Sequence, residues 1–207
     1  HRGRKPNAAE DAQARTGPMT RAASRVTASP KTRTKHETPD IQFHVQPWSA
    51  DSPGEGVHPF SAFTASVCQL RPESRGEILL KTSDARDYPA IHPNYLATQT
   101  DCDTTVAGIK VARKVAACAP VAGKITEEFR PGNTAETDAD LLQWARDTAT
   151  TIYHPTSTCR MGADDNAVLD PRLRVKGVDG LRVVDASIMP EIVSGNTNAP
   201  TIMIAER

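Results

Sequence analysis

The stretch "TIYHPTSTCRMGADDN", Thr151 to Asn166, sets a His-Pro pair ahead of a run of hydroxyls, a cysteine and an Arg-Met-Gly. Pro155, Thr156, Ser157 and Thr158 specify a fixed turn from which the His154 imidazole can project into a cleft. Imidazole is the side chain best placed to exchange a proton near neutral pH. Taken alone, a histidine before a proline is more often structural than catalytic, and both readings stay open at this point. A metal site is disfavoured, because Cys159 lies five residues on and no further ligand pair accompanies it.

Composition narrows the class of molecule around that turn. The 207 residues are 38% apolar and 24% charged, enough for one large domain with a modest core, while sixteen prolines and 4% aromatics point to many loops. Net charge is zero, so no polyanionic partner is implied. Residues 1–40 hold nine Lys/Arg against four Asp/Glu, yet this basic stretch has neither aromatic interleaving nor a helical period. It reads as loop or disorder, not as a nucleic-acid arm, and residues 1–38 are set apart as a poorly ordered segment. Four scattered cysteines without a CxxC pair give no disulfide framework. No apolar run approaches a membrane span and no signal peptide opens the sequence. The expectation is a protein of a reducing compartment, cytoplasmic, with peripheral membrane association left open.

Upstream of the turn, "IQFHVQPW" alternates and ends at Pro47, which predicts a strand carrying His44. "FTASVCQL" and "GEILLK" read as two further strands, paired antiparallel through "RPESRG" with Gly76 in the turn. "TSDARDYPAIHPNYL" reads as extended. A helix follows from about Asp101, with Val106, Ile109, Ala112 and Ala116 on one face, ending before Pro120. A second begins at Thr137 as its cap, with Asp138 and Asp140 in the first turn and Leu141, Trp144, Ala145 and Thr148 facing inward. These elements give an α+β arrangement, an antiparallel sheet with helices packed on it. Downstream, Leu181 to Val184 reads as a short buried strand entering a turn at Asp185-Ala186-Ser187, and "SGNTNAPTIMIAER" as a loop running into a helix near Thr201.

That last loop is the second candidate for chemistry. An asparagine offers a neutral donor and acceptor that can hold an alcohol or alkoxide without titrating. A loop opening a helix also aims backbone N–H groups at whatever binds there. A plain capping loop has the same composition, and on spacing alone it is the favoured reading.

Three segments in order, "YHPTSTCRMG", "LRVVDASIMP" and "SGNTNAPTIMIAE", together resemble the C-terminal signature of the glucose-methanol-choline (GMC) family of flavin oxidoreductases. "PDIQFHVQPW", "QLRPESRGEILL" and "PAIHPNYL" look like that family's substrate domain, nearest its choline and alcohol dehydrogenase branch. The resemblance runs from about Gly17 to Arg207. It implies FAD as cofactor and a small-molecule alcohol as substrate, oxidised to an aldehyde by hydride transfer to the flavin. It places the base on His154 and its partner on Asn198. It places flavin contacts on Asp185, Ala186, Asn196, Asn198, Ala199, Pro200 and Thr201, substrate-cavity positions on His44 and Ile152, and no metal. Oxygen or a quinone-type compound would serve as electron acceptor.

The family's dinucleotide fingerprint, GxGxxG between a strand and a helix, does not occur in the sequence. The expectation is therefore a C-terminal portion: substrate domain over 39–160, then over 161–207 the return segment of a Rossmann-like FAD-binding domain whose N-terminal part is missing. The alternative is a non-catalytic remnant unable to hold FAD alone.

Overall fold

The computed structural model describes residues 26–33, 37–52 and 55–207. Its centre is a three-stranded antiparallel sheet of β1 (Val26–Ala28), β2 (Ile41–Gln46) and β3 (Thr64–Gln69), with β2 in the middle. In β2, Ile41 and Phe43 are buried on one face while Gln42, His44 and Gln46 alternate onto the other. The apolar face packs on helix α1 (Gln99–Ala116). Gly108 permits that contact: a Cβ there would stand 2.5 Å from the Val67 Cγ1 atom and 3.5 Å from the Ile41 Cδ1 atom. Beyond α1 lies helix α2 (Asp138–Thr148), and Val106, Ile109, Ala135, Leu141 and Ala145 form the core between them. A second buried group, Ala167, Leu169, Ile188 and Met189, belongs to the loop-rich last third. Helix α3 (Asn198–Glu206) follows it. Among the described residues no helix is long and apolar enough to cross a membrane.

The helix starts follow their caps. Thr98 accepts from the Asp101 N–H, and Thr137 with Asp140 forms a reciprocal capping box. Thr148, expected on the inner face of α2, is exposed and spends its hydroxyl on the Trp144 carbonyl at 2.7 Å. The stretch 1–40 is not all loop. Val26–Ala28 pairs in register with Phe43–Val45, an edge strand whose exposed side chains leave no burial pattern to read. The more basic residues 1–25 lie outside the described residues.

The expected pairing of "FTASVCQL" with "GEILLK" does not occur. Strand β3 pairs with β2, placing Ser66 opposite His44, while β4 (Glu77–Leu79) pairs with β5 (Ala90–His92) in a separate two-stranded sheet. The cause is Asp101, 2% exposed at the start of α1. Its carboxylate accepts from the Glu73 and Ser74 amides at 2.9 and 2.8 Å and from Gln69 Nε2 at 2.9 Å. Ser74 Oγ in turn accepts the Ala97 and Thr98 amides. The intervening "RPESRG" is thereby wrapped around the head of α1 and cannot close a hairpin. Gly76 serves close approach, since a Cβ would meet the His92 carbonyl oxygen at 2.2 Å.

The buried strand expected over Leu181–Val184 is also corrected. Leu181 and Val184 are 49% and 41% exposed, and the segment makes an isolated bridge, Arg182 to Arg174, in place of a ladder. Among the described residues no neighbouring strand covers it, and three apolar residues interrupted by Arg182 cannot bury themselves.

Burial alone would raise the Asp101 pKa, but hydrogen bonds from Ser74, the Glu73 and Ser74 amides and Gln69 together outweigh it and hold the group below the ordinary carboxylate value. Its stabilising effect is present above about pH 4 and is lost as pH falls through the lowered value. Replacing Asp101 with Ala strands two amide donors, and we expect a loss of about 3 kcal/mol. A shift in the denaturant midpoint at neutral pH that vanishes in acid checks this.

Candidate active site

The His154 loop is built before the imidazole is aimed. Tyr153 and Ser157, neither of them glycine, hold φ of 63° and 75° on either side of the histidine. Such conformations cost of order 1–3 kcal/mol each and persist only where surroundings impose them. The surroundings are visible. The Thr151 hydroxyl accepts the Tyr153 amide at 3.0 Å, and Ser157 donates to the Pro190 carbonyl at 3.4 Å. The Cys159 and Met161 amides donate to the Ser187 and Ile188 carbonyls at 3.1 and 2.9 Å.

The imidazole is then held at both nitrogens by consecutive residues some forty positions away. Asn196 Nδ2 stands 2.8 Å from His154 Nε2, and Thr197 Oγ1 stands 2.9 Å from Nδ1. Arg71 Nε reaches Ser194 Oγ at 3.1 Å, tying this second loop to the segment that follows β3. His44, at the centre of β2 on the face away from α1, completes the group. Its Nε2 is buried and has no hydrogen-bond partner among the described residues. Burial, and secondarily the charge of His154 when protonated, push the His44 imidazole below its ordinary value.

The residues singled out in the sequence divide accordingly. His154 and Asn196 meet through a hydrogen bond, and His44 lies near enough for the charge of His154 to act on it. Asn198 is exposed as the first residue of α3, with no hydrogen bond to His154, and Ala199, Pro200 and Thr201 complete that first turn. Ile152 is 42% exposed two residues before the imidazole. Asp185 caps the short 3-10 turn Ala186–Ile188 by accepting the Ser187 amide, in the segment that anchors the His154 loop. Thr197 was not singled out, because a threonine just before a helix reads as a cap.

Chemically the site offers an imidazole, a carboxamide and a hydroxyl, with a second imidazole beside them. The donor set suits a neutral or developing negative oxygen. It also fits a flavin. The Asn198 and Ala199 amides of the first turn of α3 have no intrahelical partner, the apolar Ile152, Val184 and Met203 are exposed, and His44 Nε2 has no hydrogen-bond partner among the described residues.

The family model described as GMC oxidoreductase matches residues 72–205. An alcohol dehydrogenase (acceptor) of Pseudomonas putida is 44% identical over 176 residues, covering 85% of this chain and 32% of the relative. A mitochondrial choline dehydrogenase of Homo sapiens is 44% identical over 174 residues, covering 82% and 29%. The crystal structure of pyridoxine 4-oxidase from Mesorbium loti superposes with a TM-score of 0.81 at 29% identity, covering 89% of this chain and 36% of that one. The chain thus spans about a third of the length of the relatives it matches. FAD is the cofactor of this group of enzymes. On the family match over residues 72–205 and the identity to these relatives, the chain belongs to the GMC oxidoreductases.

Proposed function

We propose that this chain is the C-terminal portion of an FAD-dependent oxidoreductase that converts a primary alcohol to an aldehyde, with His154 as the base. In this reading residues 39–160 line the substrate and 161–207 return to the FAD-binding domain. The observation that carries it is the meeting of His154 with Asn196 across forty-two positions at 2.8 Å. The alcohol and choline dehydrogenase names of the relatives support the substrate class.

When bound, FAD supplies the acceptor for the hydride that leaves the alcohol carbon. The chain's own residues handle the oxygen and its proton. His154 Nε2 takes the hydroxyl proton, and Asn196 Nδ2 donates to the oxygen as negative charge grows there. Asn196 therefore takes the role that the resemblance gave to Asn198. At rest the two side chains satisfy each other, and an entering hydroxyl inserts between a donor and an acceptor already aimed at one point. His44, whose charged form burial disfavours, would stand on the sheet side of the substrate. Ile152 forms apolar wall. Asp185 and Ala186 would help hold the ribityl-pyrophosphate part of FAD, and Asn198 to Thr201 at the start of α3 would hold its ring.

In the full-length, flavin-loaded protein, His154→Ala lowers alcohol turnover by roughly 10²–10⁴-fold, the range for a lost acid–base group. Asn196→Ala lowers it by about 10²-fold, and Asn198→Ala costs less than Asn196→Ala. Steady-state kinetics on the three variants check the order, and an unchanged rate in His154→Ala removes the base from the scheme.

The depressed His44 gives a separate test. Because its folded value lies below the unfolded one of about 6.5, the fold loses stability as pH drops through that value toward the lowered midpoint. NMR titration of the His44 ring should show a midpoint below the ordinary value. In His154→Ala the midpoint rises only in part, because burial is the larger cause.

A further inference from the structure

We infer that Thr197 sets the tautomer of His154, holding the proton on Nδ1 so that Nε2 presents its lone pair to the substrate; this rests on the reading of His154 as base. Three threonines stand at the N-terminal caps of the three α-helices among the described residues, and they behave differently. Thr98 and Thr137 are extended, with ψ of 152° and 164°, and each hydroxyl accepts an amide of its own helix. Thr197 has φ −84° and ψ −12°, a helical conformation, and its hydroxyl makes no capping bond. It turns to His154 Nδ1 instead, at 2.9 Å, in a residue only 8% exposed. The Thr197 carbonyl accepts both the Thr201 amide at 3.0 Å and the Thr201 hydroxyl at 2.7 Å, which fixes the backbone from which the hydroxyl is aimed.

The proton assignment follows from donor and acceptor counting. A carboxamide nitrogen can only donate, so with Asn196 Nδ2 on Nε2 that ring nitrogen is the acceptor. A neutral imidazole carries one proton, which then sits on Nδ1 and is donated to Thr197 Oγ1. Threonine, which can accept here without bringing a charge, holds the ring in the form a base requires. Without it, the amide of Asn196 could rotate to offer its oxygen to an Nε2–H, and the base would be blocked by its own partner. Thr197 is a positioning residue, acting through His154.

The experiment reads the ring directly. In full-length, flavin-loaded protein labelled with ring-15N histidine, at a pH where the ring is neutral, His154 is assigned by its loss in His154→Gln. The nitrogen shifts should report a protonated Nδ1 and a bare Nε2. Thr197→Val should move the population toward Nε2–H by about 3- to 10-fold, the weight of one neutral hydrogen bond, and Thr197→Ser should restore it. Thr197→Ala, which adds no atoms, gives the same reading if the valine variant does not fold. Nitrogen shifts unmoved by loss of the hydroxyl overturn the inference whatever the rates. A switched tautomer with unchanged turnover upholds it and contradicts the assignment of His154 as base.

Discussion

The imidazole of His154 is gripped at both nitrogens by two consecutive residues, Asn196 and Thr197, and much of the surrounding structure makes that grip possible. A histidine on a free loop samples many orientations, and fixing it costs conformational entropy that must be met elsewhere. Here the cost is met on both sides. The loop carrying His154 is held in left-handed backbone at Tyr153 and Ser157 and bonded to the Ser187–Ile188 backbone. The loop carrying its partners is bonded to Arg71 on one side and continues into α3 on the other. The two ring nitrogens thus report on two segments that have no reason to meet except through the fold.

The polar groups that surround this imidazole are neutral, and that has a chemical consequence. A carboxamide and a hydroxyl fix the ring by hydrogen bonds alone, and neutral donors of this kind stabilise charge as it develops on an oxygen. His44 adds to the same balance. As an imidazole disfavoured in its charged form, it offers polarity without a standing positive charge. The sheet supplies this residue through simple alternation: Ile41 and Phe43 bury against α1, which sends His44 to the opposite face.

The parts of this arrangement legible in the sequence are those set by local rules. The period of two in "IQFHVQ" placed β2 and His44, Thr137 with its acidic first turn placed α2, and the His-Pro followed by hydroxyls marked the loop whose imidazole Asn196 and Thr197 hold. What escaped was set by distant contacts. Nothing local in "RPESRG" says that its amides belong to Asp101, almost thirty residues on, and so the β3–β4 hairpin looked sound. Leu181–Val184, apolar but for Arg182, looked like a strand because composition cannot reveal whether a neighbour exists. Asn196 and Asn198 are two residues apart in the same loop, and only the start of α3 between them separates the one reaching the imidazole from the one opening the helix. Thr197 hid behind an ordinary role, since its departure from capping shows only in ψ and in the partner of its hydroxyl.

The central claim is that one point in space is shared by the His154 base and the Asn196 donor. The most direct measurement is a crystal structure of the full-length, flavin-loaded protein with a slow or unreactive alcohol bound. The account predicts the alcohol oxygen within about 3 Å of both His154 Nε2 and Asn196 Nδ2, with Nδ1 still on Thr197. An alcohol whose oxygen rests on Asn198, or a His154 ring turned away from the bound molecule, would contradict it.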